Sequence, residues 1–171
     1  MVTITDALAS EHALFCEMFE EIVRLLPDLR TVSEVRVISR LVEGVLLRHA
    51  NVEQNLAFAA LDHALAEKGQ LARLHQDHHE IDQRLHQATL ARKFPEAVRL
   101  LKAGLAASRR HFRREEKMVF PLFQNLFAAR DLEVLGTQSP QRVSSLGKHG
   151  FSNAMRGRLR KSAKHNSPKR A

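Results

Sequence analysis

The sequence predicts an all-α protein: an up-down-up-down four-helix bundle over residues 1–135, followed by a basic tail, residues 136–171, expected to be disordered. Three observations predict it. Apolar residues recur at alternating spacings of three and four along four segments, as amphipathic helices require. No stretch shows strand-like alternation of useful length. The breaks between segments are short, so consecutive helices must fold back on one another.

The first predicted helix covers about residues 5–26, with Leu8, His12, Phe15, Phe19, Ile22 and Leu26 on one face, and Pro27-Asp28 ends it. The second begins near Ser33, a residue suited to an N-cap, and runs to about 59 with Ile38, Val42, Leu46, His49, Glu53 and Leu56 on its stripe. It continues or re-forms through 60–68 before Gly69, a stop signal. The third, about 70–92, presents Leu71, Leu74, His78, Ile81 and Leu85. The fourth has Pro95 in its first turn, where a missing N–H costs nothing. It presents Ala97, Leu101, Gly104, Ser108, His111, Glu115, Met118 and Leu122.

Composition bounds the class. A chain of 171 residues that is 44% hydrophobic and 27% charged fits one soluble globular domain with an appendage. The single Cys16 rules out an intrachain disulfide framework and suits a reducing cytoplasm. No segment is a transmembrane run or a secretory leader, so the expected location is cytoplasmic. The net charge of +8 belongs to the tail: residues 136–171 hold nine Lys or Arg and no acid, whereas 1–135 hold 18 basic and 19 acidic residues. Within the tail, Arg156, Arg158, Arg160, Lys161 and Lys164 lack interleaved aromatics. Such a cluster is either simply solvated or makes non-specific, salt-dependent contact with an anionic partner, nucleic acid or membrane surface.

Imidazoles and carboxylates on the core faces require partners, because burying either alone costs several kcal/mol, roughly. His12 lies 15 residues before Pro27, His49 lies 16 after Ser33, His78 lies 17 before Pro95, and His111 lies 16 after it. At ~1.5 Å per residue all four stand about 24 Å from the hairpin turns, in one layer. Glu53 and Glu115 follow their own histidines by four residues, on the same faces. Four imidazoles and two carboxylates therefore converge. Six mixed N and O donors suit a pair of first-row transition ions, the imidazoles capping and the glutamates bridging. Iron is the natural choice, with manganese or zinc as substitutes.

The pattern is also repeated internally. Residues 49–61 align without gaps on 111–123, pairing His49 with His111, Glu53 with Glu115 and Phe58 with Phe120. Upstream, Glu11-His12 and then Phe15 correspond to Asp77-His78 and then Ile81. The chain reads as two copies of one helical hairpin.

These residues resemble the hemerythrin-like (HHE cation-binding) family over roughly 5–127. The resemblance rests on Glu11-His12, His49-x-x-x-Glu53, Asp77-His78 and His111-x-x-x-Glu115-Glu116, followed by Val119-Phe120-Pro121. It implies a four-helix bundle around two non-haem iron ions, joined by an oxo, hydroxo or water bridge, that bind or sense O2, NO or peroxide. It also implies that His12 and His49 bind one iron, His78 and His111 the other, with Glu53 and Glu115 bridging. The oxygen-carrying members use a His-x-x-x-His pair on the third helix, a spacing that His75/His79 has here. His78 sits among the apolar residues, leaving His75 as an additional ligand or a hydrogen-bonding neighbour. Iron storage, delivery or iron-centre repair is the alternative function.

Other readings narrow the chemistry. No histidine has Asp or Glu three residues before it, against the ferritin-like Glu-x-x-His pattern. Without tyrosine, a tyrosyl radical is excluded. Gly104 and Ser108, inward-facing and small, either leave a ligand pocket or permit close helix packing. Cys16 is either a redox-sensitive thiol or a small core residue.

Overall fold

The computed structural model describes residues 2–64 and 71–138. Helix α1 is Ile4–Leu25, closed by a 3-10 turn at Leu26–Asp28 that contains Pro27. Helix α2 is Val32–Val52, followed by a π-helical turn at Glu53–Phe58 and by α3, Ala59–Ala64. Helix α4 is Ala72–Leu90, and α5 is Phe94–Arg114. A second π-helical turn, Glu115–Val119, leads into α6, Phe120–Leu126, and α7 spans Ala129–Gln138. Among the described residues there is no strand, and the fold is the all-α bundle that the periodicity predicts.

Local chemistry sets the helix starts. Thr3 caps α1 reciprocally with Asp6. Thr31, not Ser33, caps α2: its hydroxyl accepts from the Glu34 N–H, and the Glu34 carboxylate accepts from the Thr31 N–H at 2.8 Å. Ser33 has Arg36 three residues on, which cannot return such a bond; Arg36 instead donates to the Ala91 carbonyl beyond the end of α4. Pro95 lies in the first turn of α5 as expected.

Helix α7 lies beyond the four periodic segments, and the expected 135/136 boundary falls inside it. It lies against the N-terminal segment so closely that a Cβ on Gly136 would stand 2.5 Å from the Val2 carbonyl oxygen. Its Leu132 joins an apolar cluster with Ile4, Leu8, Phe58, Leu61, Leu74 and Phe123. The rest of the predicted disordered tail and the Gly69 stop lie outside the described residues.

The two π turns change which residues face inward. Both begin at the glutamate of a His-x-x-x-Glu pair. In each, an N–H reaches the carbonyl five residues back, Ala59 to Gln54 and Phe120 to Glu115. The wider turn holds one extra residue, so the buried stripe advances by one position. The α-helical pattern predicts Leu56, Met118 and Leu122 in the core. Instead Ala57, Val119 and Phe123 are buried, Leu56 and Leu122 are half-buried, and Met118 is exposed. Fully burying a large apolar side chain such as Phe123 stabilises by about 1.5–3 kcal/mol, so this register is energetically decisive.

Gly104 is a packing residue. A Cβ there would meet Leu85 Cδ2 at 2.7 Å, so an alanine would force the buried Leu85 side chain to shift. The Ser108 hydroxyl donates to the Gly104 carbonyl at 3.0 Å. The pair thus serves close helix packing.

Candidate metal centre

All six predicted residues meet in the bundle interior. His12 comes from α1, His49 from α2, His78 from α4 and His111 from α5, while Glu53 and Glu115 open the two π turns. Each is between 0% and 6% exposed. His75 and His79, the other candidates on α4, are exposed, and the His75 ring meets the edge of Phe58.

The histidines form two pairs within the hairpins. Nε2 of His12 is 3.2 Å from Nε2 of His49, and Nε2 of His78 is 2.8 Å from Nε2 of His111. Glu53 divides its oxygens between the pairs: Oε1 lies 2.8 Å from His49 Nε2, and Oε2 lies 3.1 Å from His78 Nε2. Glu115 reaches both pairs with one atom, its Oε2 lying 3.4 Å from His12 Nε2 and 3.3 Å from His111 Nε2.

Three of those buried oxygens, both of Glu53 and Oε2 of Glu115, nevertheless have no hydrogen-bond partner. Their neighbours are close, but no N–H is aligned with them. Native interiors rarely tolerate such atoms without a further partner. The spacings identify one: two donors bound at ~2.1 Å to one ion, at ordinary angles, stand about 3.0–3.4 Å apart. The donors thus fit two groups able to hold cations, His12, His49, Glu53 and Glu115 in one, and Glu53, His78 and His111 in the other.

Protonation follows the same logic. Burial disfavours a charged His12, but Glu115 and Glu53 outweigh it and carry its pKa up to about 9. Burial likewise opposes His49, whose pKa rises to about 10 under the charge of Glu53 and the bond to Glu11. Burial works against ionised Glu53 too, yet the charge of His49 and the other facing imidazoles hold its carboxyl well below the usual range. Glu115 is pushed up by burial and by the charge of Glu53. Protons on the imidazoles here compensate the carboxylates, the role a metal cation also performs.

Aromatic rings enclose the cluster. Phe112 stacks on His12 with centroids 4.2 Å apart, Phe15 meets His49 edge-on, and Phe58 stacks on His78. These walls exclude water and strengthen every electrostatic interaction within. A cavity of about 10 Å³ lies beside His49, His78 and His111, bordered by Asp82. Cys16 is half-buried, and burial pushes its thiol pKa up, against a reactive thiolate.

Sequence reasoning did not assign roles to the acids beside the ligand candidates. His49 Nδ1 is 2.7 Å from Glu11 Oε2, and His12 Nδ1 is 2.9 Å from Glu116 Oε1. Asp77 Oδ2 lies 3.7 Å from His111 Nδ1. Glu11, which precedes His12, thus serves His49 of the next helix, whereas Asp77, which precedes His78, only approaches His111. The recurrence of an acid before His12 and before His78 was the available signal.

Residues 3–124 match the family model Hemerythrin, described as Hemerythrin HHE cation binding domain. Among curated proteins and among solved structures, nothing matches the chain.

Proposed function

This chain belongs to the hemerythrin HHE cation-binding domain family, and from that premise we propose that it is a non-haem di-iron protein that binds or senses O2, NO or peroxide. His12 and His49 would hold one iron and His78 and His111 the other, with Glu53 and Glu115 shared between them. The observation that carries this reading is Glu53, a fully buried carboxylate with one oxygen toward each histidine pair. A single-ion site would leave its second oxygen without use. Four imidazoles and two carboxylates suit iron, with manganese or zinc as substitutes.

Bound in its reduced form, iron would supply electrons to a diatomic ligand or to peroxide. The chain's own residues do the rest: Glu11 and Glu116 orient two imidazoles, and Phe15, Phe58 and Phe112 keep bulk water out. Enclosure by aromatic rings favours a resident centre over storage or delivery, which need an exit route for iron. Among the described residues no helix is long and apolar enough to cross a membrane. The lone, half-buried cysteine supports a cytoplasmic setting. The nine cations after residue 135 add a salt-dependent contact with an anionic surface, nucleic acid or membrane.

Anaerobic reconstitution with ferrous iron, followed by air, tests the proposal. It should give about two irons per chain and near-ultraviolet charge-transfer bands, consistent with a dinuclear carboxylate-bridged site. Zero or one bound metal would remove the dinuclear reading. Rapid transfer of iron to an apo acceptor would favour delivery.

A further inference from the structure

The two halves of the site differ in what stands behind their ligands. In the first half both imidazoles are braced: His12 Nδ1 faces Glu116 at 2.9 Å and His49 Nδ1 faces Glu11 at 2.7 Å. In the second half, His78 Nδ1 is buried without a hydrogen-bond partner. His111 Nδ1 stands 3.7 Å from Asp77, too far for a hydrogen bond. The charge of Asp77 is also engaged elsewhere, by an ion pair with Arg114 and by Arg73 Nε at 3.4 Å.

The internal repeat explains the gap. Glu116 follows Glu115 in the second π turn and reaches His12; the aligned residue in the first turn, after Glu53, is Gln54. Gln54 is exposed and leaves His78 Nδ1 unpartnered. The donor count points the same way, since four ligand atoms cluster around the first half and three around the second.

A carboxylate that accepts the Nδ1–H of an imidazole fixes its tautomer, aims the Nε2 lone pair at the metal and raises its basicity. We propose that Glu11 and Glu116 are positioning residues that make the His12/His49 half the tight, first-loaded site. The His78/His111 half takes the second ion more weakly and is the exchangeable half. This rests on the dinuclear reading above.

The test is an anaerobic titration of the metal-free full-length chain with Co(II), followed by its visible absorption, with ions counted by native mass spectrometry. Two steps are expected, the first at least about 10-fold tighter. Glu11→Gln and Glu116→Gln should each weaken the first step by about 10- to 100-fold and leave the second nearly unchanged. Glu116 is 44% exposed, so its replacement keeps the fold. Gln54→Glu supplies the missing brace and should tighten the second step alone. Two equal steps, one cooperative step, or equal weakening of both by Glu116→Gln would overturn the proposal while leaving a dinuclear site. Uptake that stops at one ion would overturn the dinuclear reading itself.

Discussion

The hairpin formed by α1 with residues 32–64 and the hairpin formed by α4 with residues 94–126 align helix by helix through their ligand candidates, although the first separates its two histidines by 37 residues and the second by 33. Both place a histidine on the first helix and a His-x-x-x-Glu on the second, and both convert to a π turn at that glutamate. They differ just beyond it: Gln54 and Ala59 in one stand where Glu116 and Pro121 stand in the other. A proline inside a helix would ordinarily be the first cause assigned to a local widening, since it removes an N–H and crowds a carbonyl. The first hairpin forms the same turn with alanine. Proline accommodates the π turn but does not create it; the shared features are the buried glutamate at its start and the phenylalanine packed at its C-terminal end.

The largest effect should come from the atom set common to both halves. Glu53→Gln removes a charge that faces all four imidazoles, and metal content should fall from about two ions per chain to one or none. Retention of two ions by this variant would show that the hairpins hold their metals independently.

A second expectation concerns protons. His12 and His49 bind protons more tightly in the folded, metal-free chain, with pKa values of about 9 and about 10 against an ordinary 6.5. Their contribution to stability is fully present below pH 6.5 and is lost as pH rises through 9 to 10. Glu53, held below its ordinary 4.5, contributes above that pH and loses its effect as pH falls through its lowered folded value. Denaturant unfolding of metal-free protein should therefore weaken from pH 6.5 to 10, while metal affinity rises over the same window as bound protons are displaced. A flat stability profile would argue against charged imidazoles.

Next is the register set by the π turns. Val119→Ala should destabilise by roughly 1.5–3 kcal/mol, and Met118→Ala by less than about 0.5 kcal/mol. A continuous α-helix predicts the opposite ranking in the same unfolding experiment. Glycines give a comparable contrast between helices. Gly104→Ala, with Leu85 in the way, should cost about 1–3 kcal/mol. Gly44→Ala, with nothing within 4 Å of the added carbon, should gain about 0.5–1 kcal/mol. The smallest effect is Pro121→Ala: because Ala59 already serves in the other hairpin, stability should change by under about 0.5 kcal/mol.

What the sequence by itself determined is the layer. Helix periodicity, short connections and the distances of His12, His49, His78 and His111 from their turns are local properties, and local geometry repeats reliably enough to put four imidazoles at one height with a carboxylate one turn along on two of the helices. Tertiary structure decided the rest. The π turns moved the stripe from Met118 and Leu122 to Val119 and Phe123 because packing on the neighbouring helices, not backbone preference, stabilises a wider turn. Helix α7 formed because Gly136 and Leu132 found a surface to close on. The acids orienting the imidazoles are far away in the chain, Glu11 being 38 residues from His49 and Glu116 being 104 from His12. No periodicity connects such positions; only the assembled bundle brings their charges to the same nitrogen.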